Sequence, residues 1–310
     1  MIDLLVAPLS AVCGLYLSAV RRYGLGRLPL TRSALDLVGM LPVRHYYHEP
    51  AIDPRDLRHP LDAERRLPAL ELRVAEQLEV ISRFHFAEEL TRIPLQTRKP
   101  LTFSYRNGAF EFGDAELLYD MIRHFMPRRI VEIGSGFSTL IAREAIAQNN
   151  RDDPRYACTH ICVEPFEKPW LENTGASVIR QRVEEIGVDL FHQLEERDIL
   201  FIDSSHVIRP QGDVLFEYLE LLGCLNRGVL VHIHDIFTPR DYPSDWVVRQ
   251  RRLWNEQYLL EAFLSFNSQY RVLVALNYLW HHHAALLGDA CPMLVREGQA
   301  EPGSFWIVRT

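Results

Sequence analysis

The sequence predicts an α/β protein: a doubly wound, three-layer sheet of about seven strands, the last antiparallel, behind a mostly helical N-terminal extension. Three observations lead there. From about residue 113, short runs rich in Ile and Val alternate with helical patterns, as parallel strands joined by crossover helices require. A glycine turn, Gly134-Ser135-Gly136, follows the first of those strands. Strand after strand then ends on an acid or a histidine, at the edge where such sheets bind ligands: Glu132, Glu164, Glu184, Asp203 with His206, His234 with Asp235.

The elements follow in order. Asp114–Phe125 has its apolar residues on one helical face and Pro127 to stop it. Arg129–Ile133 reads as a buried strand, Ser138–Gln148 as a helix, His160–Glu164 as a strand and Trp170–Thr174 as a short helix. Ser177–Val183 is predicted as a strand, Leu190–Glu195 as a helix, and Ile199–Asp203 as the most hydrophobic strand. Gly212–Leu225 is a helix, Val229–His234 a strand, Val247–Phe266 one long helix and Tyr270–Leu276 a strand. An irregular insert over 280–303 leads to a closing strand, Ser304–Val308, paired antiparallel with its predecessor. Before residue 110 the alternation is missing. There, Leu67–Leu90 reads as an amphipathic helix. The boundary is therefore set at 110, with an extension over 1–110 and a ligand-binding domain over 111–310.

Composition narrows the class. The 310 residues are 47% hydrophobic and 24% charged, an ordinary globular balance, and the net charge of −7 gives nucleic acid no electrostatic footprint. Five scattered cysteines read as free thiols of a reducing, cytoplasmic setting, with Cys158 and Cys162 as packing residues. Leu4–Val20 is nearly all apolar or small, with Arg21 and Arg22 after it rather than before it, which is the wrong charge order for a secretory signal. Two readings stay open. The segment is a helix buried against the body of the protein or a second subunit, or it lies on the inner face of a membrane with an arginine anchor.

Glycines at 134 and 136 let the backbone turn tightly and approach a ligand. A dinucleotide fingerprint would want a third glycine or alanine where Thr139 stands, and an acid as close as Glu132 would repel a pyrophosphate. A cationic ligand fits better. Here the residues resemble the class I S-adenosylmethionine-dependent methyltransferases, over about 110–280 plus the closing strand, and that resemblance implies a Rossmann-like methyltransferase sheet. Val131-Glu132-Ile133-Gly134-Ser135-Gly136 is similar to their first motif. The resemblance implies cofactor contacts from Glu132, Gly134, Ser135, Gly136, Ser138 and Thr139, ribose binding by Glu164, and adenine contacts from Val183 and Glu184. The runs Leu200–His206 and His232–Asp235 resemble the branch of macrolide-sugar O-methyltransferases and cephalosporin-hydroxylase-like proteins. That branch implies a metal set of Asp203, His234 and Asp235, holding magnesium or manganese, with Asp203 also at the cofactor. His234 departs from the second acid that metal-dependent members often carry.

Methyl transfer from S-adenosylmethionine to a hydroxyl of a sugar or other small-molecule acceptor is the leading expectation, with His206 as general base and Asp203 beside it. Two alternatives stand: a scaffolding protein that keeps the nucleotide-binding fold, possible as a homo-oligomer, and a nucleotide-dependent oxidoreductase or hydroxylase-like enzyme. His232 reads as a core histidine, and His281-His282-His283 as a solvated or lid segment. Tyr46-Tyr47 and Trp246 or Trp254 are candidates for an acceptor pocket that aromatic packing explains equally well.

Overall fold

The computed structural model describes residues 2–46, 48–166, 168–298 and 301–310. Tyr47, half of the aromatic pair considered for an acceptor pocket, lies outside the described residues. The chain forms two compact units. The first holds Met1–Pro60 with Ser244–Leu253, and the second holds Leu61–Pro243 with Trp254–Thr310.

The first unit is helical. Helix α1 is Ile2–Tyr23 and α2 is Pro29–Leu37, the latter started by a proline whose missing N–H costs nothing at a helix entry. Arg21 donates two hydrogen bonds to Glu49, at 2.7 and 2.8 Å, and so ties the end of α1 to the following loop. Arg44 sits over the Tyr46 ring. Residues 2–16 are all exposed, and Val20 is the buried residue of α1. Within the first unit this stretch of α1 is therefore left uncovered.

The second unit is built on one sheet. After α3 (Val74–Ile81), α4 (Ala87–Arg92) and α5 (Asp114–Phe125) come β1 (Arg129–Ile133), α6 (Phe137–Asp152), β2 (Thr159–Val163) and β3 (Ser177–Ile179). Next are α7 (Val183–Ile186), β4 (Ile199–Ile202), α8 over 213–224 with a π-turn at Glu217–Leu221, and β5 (Leu230–Ile233). The unit ends with α9 (Glu256–Leu264), β6 (Tyr270–Ala275), α10 (Leu276–His283), α11 (Pro292–Glu297) and β7 (Phe305–Arg309).

The strand order is β3-β2-β1-β4-β5-β7-β6, parallel except for β7, which runs antiparallel to both neighbours. This is the expected seven-stranded, doubly wound, Rossmann-like sheet. Alternate side chains enter two cores. Ile130, Ile199, Phe201 and Trp306 pack with α5 and α6, while Val131, Ile133, Leu200, Ile202 and Val231 pack with α8 and α9. Burial on both faces explains why the strands read as continuous apolar runs.

Four elements differ from the sequence reading. The helix expected over 67–90 is two short ones, because the chain turns between them to send Ile81, Phe84 and Leu90 into one core. The strand expected to reach Val183 stops at Ile179, and Val183 opens α7. The insert over 280–303 is not irregular, since it contains the end of α10 and all of α11. The long helix expected over 247–266 breaks at 251–255, where Arg251 takes φ +57, and only α9 remains in the second unit.

Candidate functional site

The sheet reverses direction of growth between β1 and β4, and the crevice opens there. The Asp203 N–H donates to the Ile133 carbonyl at 2.8 Å, and the Gly134 N–H to the Val163 carbonyl at 3.0 Å, so three strand ends meet at the glycine turn. Gly134 has φ +76, and a Cβ there would stand 1.8 Å from the Asp203 carbonyl oxygen. No other residue fits. Gly136 is different: its φ is extended, and the atoms nearest to a Cβ there belong to the Lys168 side chain, Nζ at 2.6 Å with Cδ and Cε at 3.3 Å.

Beneath the turn lies a buried polar network. The Gly136 N–H donates to Thr139 Oγ1 at 3.2 Å, and that hydroxyl donates to Glu132 Oε2 at 2.5 Å. Cys162 and His160, side by side on β2, each lie 3.4 Å from the same oxygen. Burial and the Glu132 charge push the Cys162 thiol far up, so it stays protonated and serves packing. Glu132, Ser138 and Thr139 are fully or almost fully buried. They shape the turn from behind and do not line the cleft. Thr139 thus occupies the expected glycine position because its hydroxyl is a structural link. Ser135 is also buried, and its backbone N–H, not its hydroxyl, points to Glu164 Oε2 at 3.3 Å.

The cleft itself, ≈ 380 Å³, brings together Gly134, Glu164, Val183, Glu184 and Asp203 from the expected set. Glu164 also accepts from the Phe166 N–H at 3.0 Å, which fixes its carboxylate at the end of β2. Asp213 holds the opposite wall by accepting from the Ser205 hydroxyl at 2.7 Å and its N–H at 2.9 Å.

Beyond Asp203 the cleft becomes charged and crowded. His206 and Asp235 both adopt left-handed backbone, φ +59 and +57, a region that non-glycine residues enter rarely and mostly at sites held by their surroundings. His206 Nδ1 lies 2.8 Å from Glu256 Oε2, and its Nε2 lies 3.2 Å from Asp203 Oδ1. Trp254 packs on the ring at 4.3 Å between centroids. The break before α9 serves this contact, because the Asn255 and Glu256 N–H groups both donate to the His206 carbonyl.

His234 Nε2 faces Asp114 Oδ2 at 3.3 Å, and its Nδ1 lies 3.4 Å from Asp203 Oδ1 and 3.6 Å from Asp235 Oδ2. Burial disfavours charge on both rings, yet the carboxylates around them outweigh it and hold both pKa values well above the ordinary histidine range. Burial likewise works against Asp203, but the two histidines carry its pKa far below the usual carboxylate range. Burial dominates at Asp235 and raises its pKa.

The ligand atoms of Asp203, His234 and Asp235 all lie within 4.8 Å of one another, so the expected metal set is assembled and could hold one cation. Its donor chemistry fits, with two oxygens and one imidazole nitrogen, whose far side Asp114 orients as second-layer carboxylates do. Glu132, His160 and Cys162 also come within that distance, but in the packed network under the turn.

Asp114 and Glu256 are the residues the sequence did not single out. Asp114 opens α5, and its Oδ1 accepts the Gly303 and Ser304 N–H groups at 2.9 and 2.7 Å, which pins the entry of β7 beside His234. An acid in a helix first turn has an ordinary capping explanation, so nothing in its local pattern marks it. His232 is a core histidine, fully buried, paired with Ser304 Oγ at 2.8 Å and stacked on Phe201. His281 and His282 sit at the surface on Glu301 and Glu64.

Among solved structures, that of the plantazolicin methyltransferase BpumL in complex with SAH aligns with 63% of this chain and 82% of its own, at 11% identity and a TM-score of 0.35. Over 142 residues the chain is 31% identical to an uncharacterized protein of Archaeoglobus fulgidus, a match covering 44% of this chain and 60% of that protein. The chain thus spans about three fifths of that relative's length. Residues 131–236, which run from within β1 past the end of β5 and include Gly134, Glu164, Val183, Glu184 and Asp203, match the family model of a methyltransferase domain.

Proposed function

We propose that this chain transfers a methyl group from S-adenosylmethionine to an oxygen, a hydroxyl of a sugar or other small-molecule acceptor. The observation that carries the reading is the coincidence of the cleft with the matched segment: Gly134, Glu164, Val183, Glu184 and Asp203 line one cleft, and all fall within 131–236. The glycine turn would take the methionine end of the cofactor. The fixed Glu164 carboxylate would accept from both ribose hydroxyls, and Val183 and Glu184 would border the adenine.

An O–C bond forms as the S–C bond breaks, and the electron pair of that bond stays on sulfur, which discharges the sulfonium. The hydroxyl proton passes to a base as the forming bond makes the oxygen strongly acidic, so a weak carboxylate base suffices. Asp203 lines the cleft and is one-third exposed, which supports assigning it the role of proton acceptor. His206 has both ring nitrogens facing carboxylates, so the role assigned to it is to position Asp203. If Asp203, His234 and Asp235 held a divalent cation, it would supply Lewis acidity to the hydroxyl, and the imidazole nitrogen favours manganese over magnesium.

Isothermal titration with S-adenosylmethionine, its demethylated product and NAD tests the reading. The first two should bind and NAD should not. Binding of NAD alone would support the oxidoreductase alternative, and binding of none would support a scaffold. Glu164→Ala should weaken S-adenosylmethionine by about 1.5–3 kcal/mol, the range for hydrogen bonds to a charged group. Chelation followed by metal return separates a cation-assisted enzyme from one in which Asp203 acts alone.

A further inference from the structure

The apolar helix of the first unit is exposed over residues 2–16, and its properties select one kind of surroundings. Helix α1 has 22 residues, which at about 1.5 Å per residue is ~33 Å, against ~30 Å for a bilayer's hydrocarbon core. Its mean hydropathy is 1.7, and none of its most apolar stretch is buried. Between Leu4 and Val20 there is no charged side chain on any face. A helix lying on a membrane surface needs a polar side, and a helix in a soluble dimer needs to cover only one stripe. Neither device is present.

The flanks are ordered as well. Asp3 precedes the apolar run, and Arg21, Arg22, Arg27 and Arg32 follow it, with Tyr16 and Tyr23 near the same end. Helix α2 then presents Leu30 and Leu37, 87% and 88% exposed and seven residues apart on one face, continued by exposed Val38 and Leu41. Arg32 and Asp36 lie on its other side. That is the pattern of a short helix in the headgroup layer beside a spanning one.

We propose that α1 crosses a lipid bilayer as a single anchor, with α2 lying in the interface on the arginine side, which the excess of positive charge makes the cytoplasmic side. This does not rest on the methyl-transfer reading.

The test uses the full chain. Expressed in cells, it should sediment with membranes and stay there through high-salt and alkaline carbonate washes. Purified in detergent and reconstituted with phosphatidylcholine and phosphatidylglycerol, it should float with the vesicles. The double variant Leu9→Arg with Val12→Arg should move to the soluble fraction by at least about tenfold, since two buried cations oppose insertion. Both positions are exposed, so its thermal unfolding should match the parent's. In sealed vesicles of known sidedness, protease should reach the remainder of the chain from the cytoplasmic face. Release of the parent by salt or carbonate would overturn the proposal. So would a discrete soluble oligomer without detergent, which would mean that a second copy covers α1, or cleavage of the segment after synthesis. Retention of the double-arginine variant in the membrane would overturn it too.

Discussion

The two rims of the cleft are built in opposite ways. On the β1–β2 rim, backbone amides and a glycine without side-chain room set the geometry, and the links are short in sequence: Thr139 to Gly136, Phe166 to Glu164. On the β4–β5 rim, charged side chains set it, and they come from far away. His206 is held by Glu256, fifty residues on (|i−j| = 50), and His234 by Asp114 across |i−j| = 120. The first rim tolerates no change of backbone and little depends on charge. The second depends on charge balance inside a buried space, where each unpaired group costs several times more than at the surface.

The largest effect should come from the backbone rim. Gly134→Ala combines a φ of +76 with a Cβ placed 1.8 Å from a main-chain oxygen that cannot yield without pulling β4 out of register. The loss should exceed about 3 kcal/mol, enough to abolish a cooperative melt in circular dichroism. A variant that melts near the parent temperature would show that the strand ends are free to part, and would dissolve the contrast between the rims.

On the charged rim, Asp203→Asn should leave the sheet folded and lower turnover on the order of 10²–10⁴-fold, the usual span for a positioned acid–base group. Asp114→Asn should cost less, roughly 10–100-fold, because it acts through His234. The readout that separates the two is cofactor affinity beside turnover. Asp114 does not line the cofactor cleft and should leave affinity unchanged. Equal turnover losses in the two variants would mean that His234, not Asp203, governs the step.

The same contrast explains what the sequence made legible. The doubly wound sheet of about seven strands and its antiparallel last strand follow from apolar runs and their spacing, and the glycine turn advertises itself by residue type alone. Asp203, His234 and Asp235 were legible because each sits at a strand end, and strand ends converge in this architecture. Glu132 misleads in one respect. Its position beside the glycines is what a ligand contact would show, yet the alternation of β1 turns it to the α6 side, where it binds Thr139. Asp114 and Glu256 were illegible because their partners are set by packing across the fold. The helix break at 251–255 was equally hidden, since the apolar periodicity continues through it and only the His206 carbonyl explains where α9 begins.

A smaller effect should appear in stability against pH, away from the cleft. Glu116 is fully buried at the start of α5, where it accepts N–H groups of Gly113, Met293 and Leu294. Burial outweighs those bonds and pushes its pKa up to about 7 from 4.5. An acid with a raised folded pKa loses its proton first in the unfolded chain, so stability is greatest below about 4.5 and falls as pH rises towards 7. The decline should approach ~3 kcal/mol, and Glu116→Gln should flatten it in denaturant titrations across that window. A decline that survives the substitution would have to come from another buried acid, Asp120 being the first to test.

The smallest effect should come from the neighbouring glycine. Gly136 has an extended φ, and the three atoms nearest to a Cβ all belong to the flexible Lys168 side chain, its ammonium first. Swinging that side chain away costs little, so Gly136→Ala should hold its unfolding free energy within about 1 kcal/mol of the parent. The turn still faces the cleft side of α6, and the displaced ammonium needs room in front of it. Affinity for S-adenosylmethionine in isothermal titration should therefore fall by about tenfold or less while the melt stays in place. Paired with Gly134→Ala, this variant tells whether the turn is one constraint or two. If both glycines cost the fold equally, the whole turn is fixed by the protein's own packing. If only Gly134 does, then Gly136 is the position left open for the ligand.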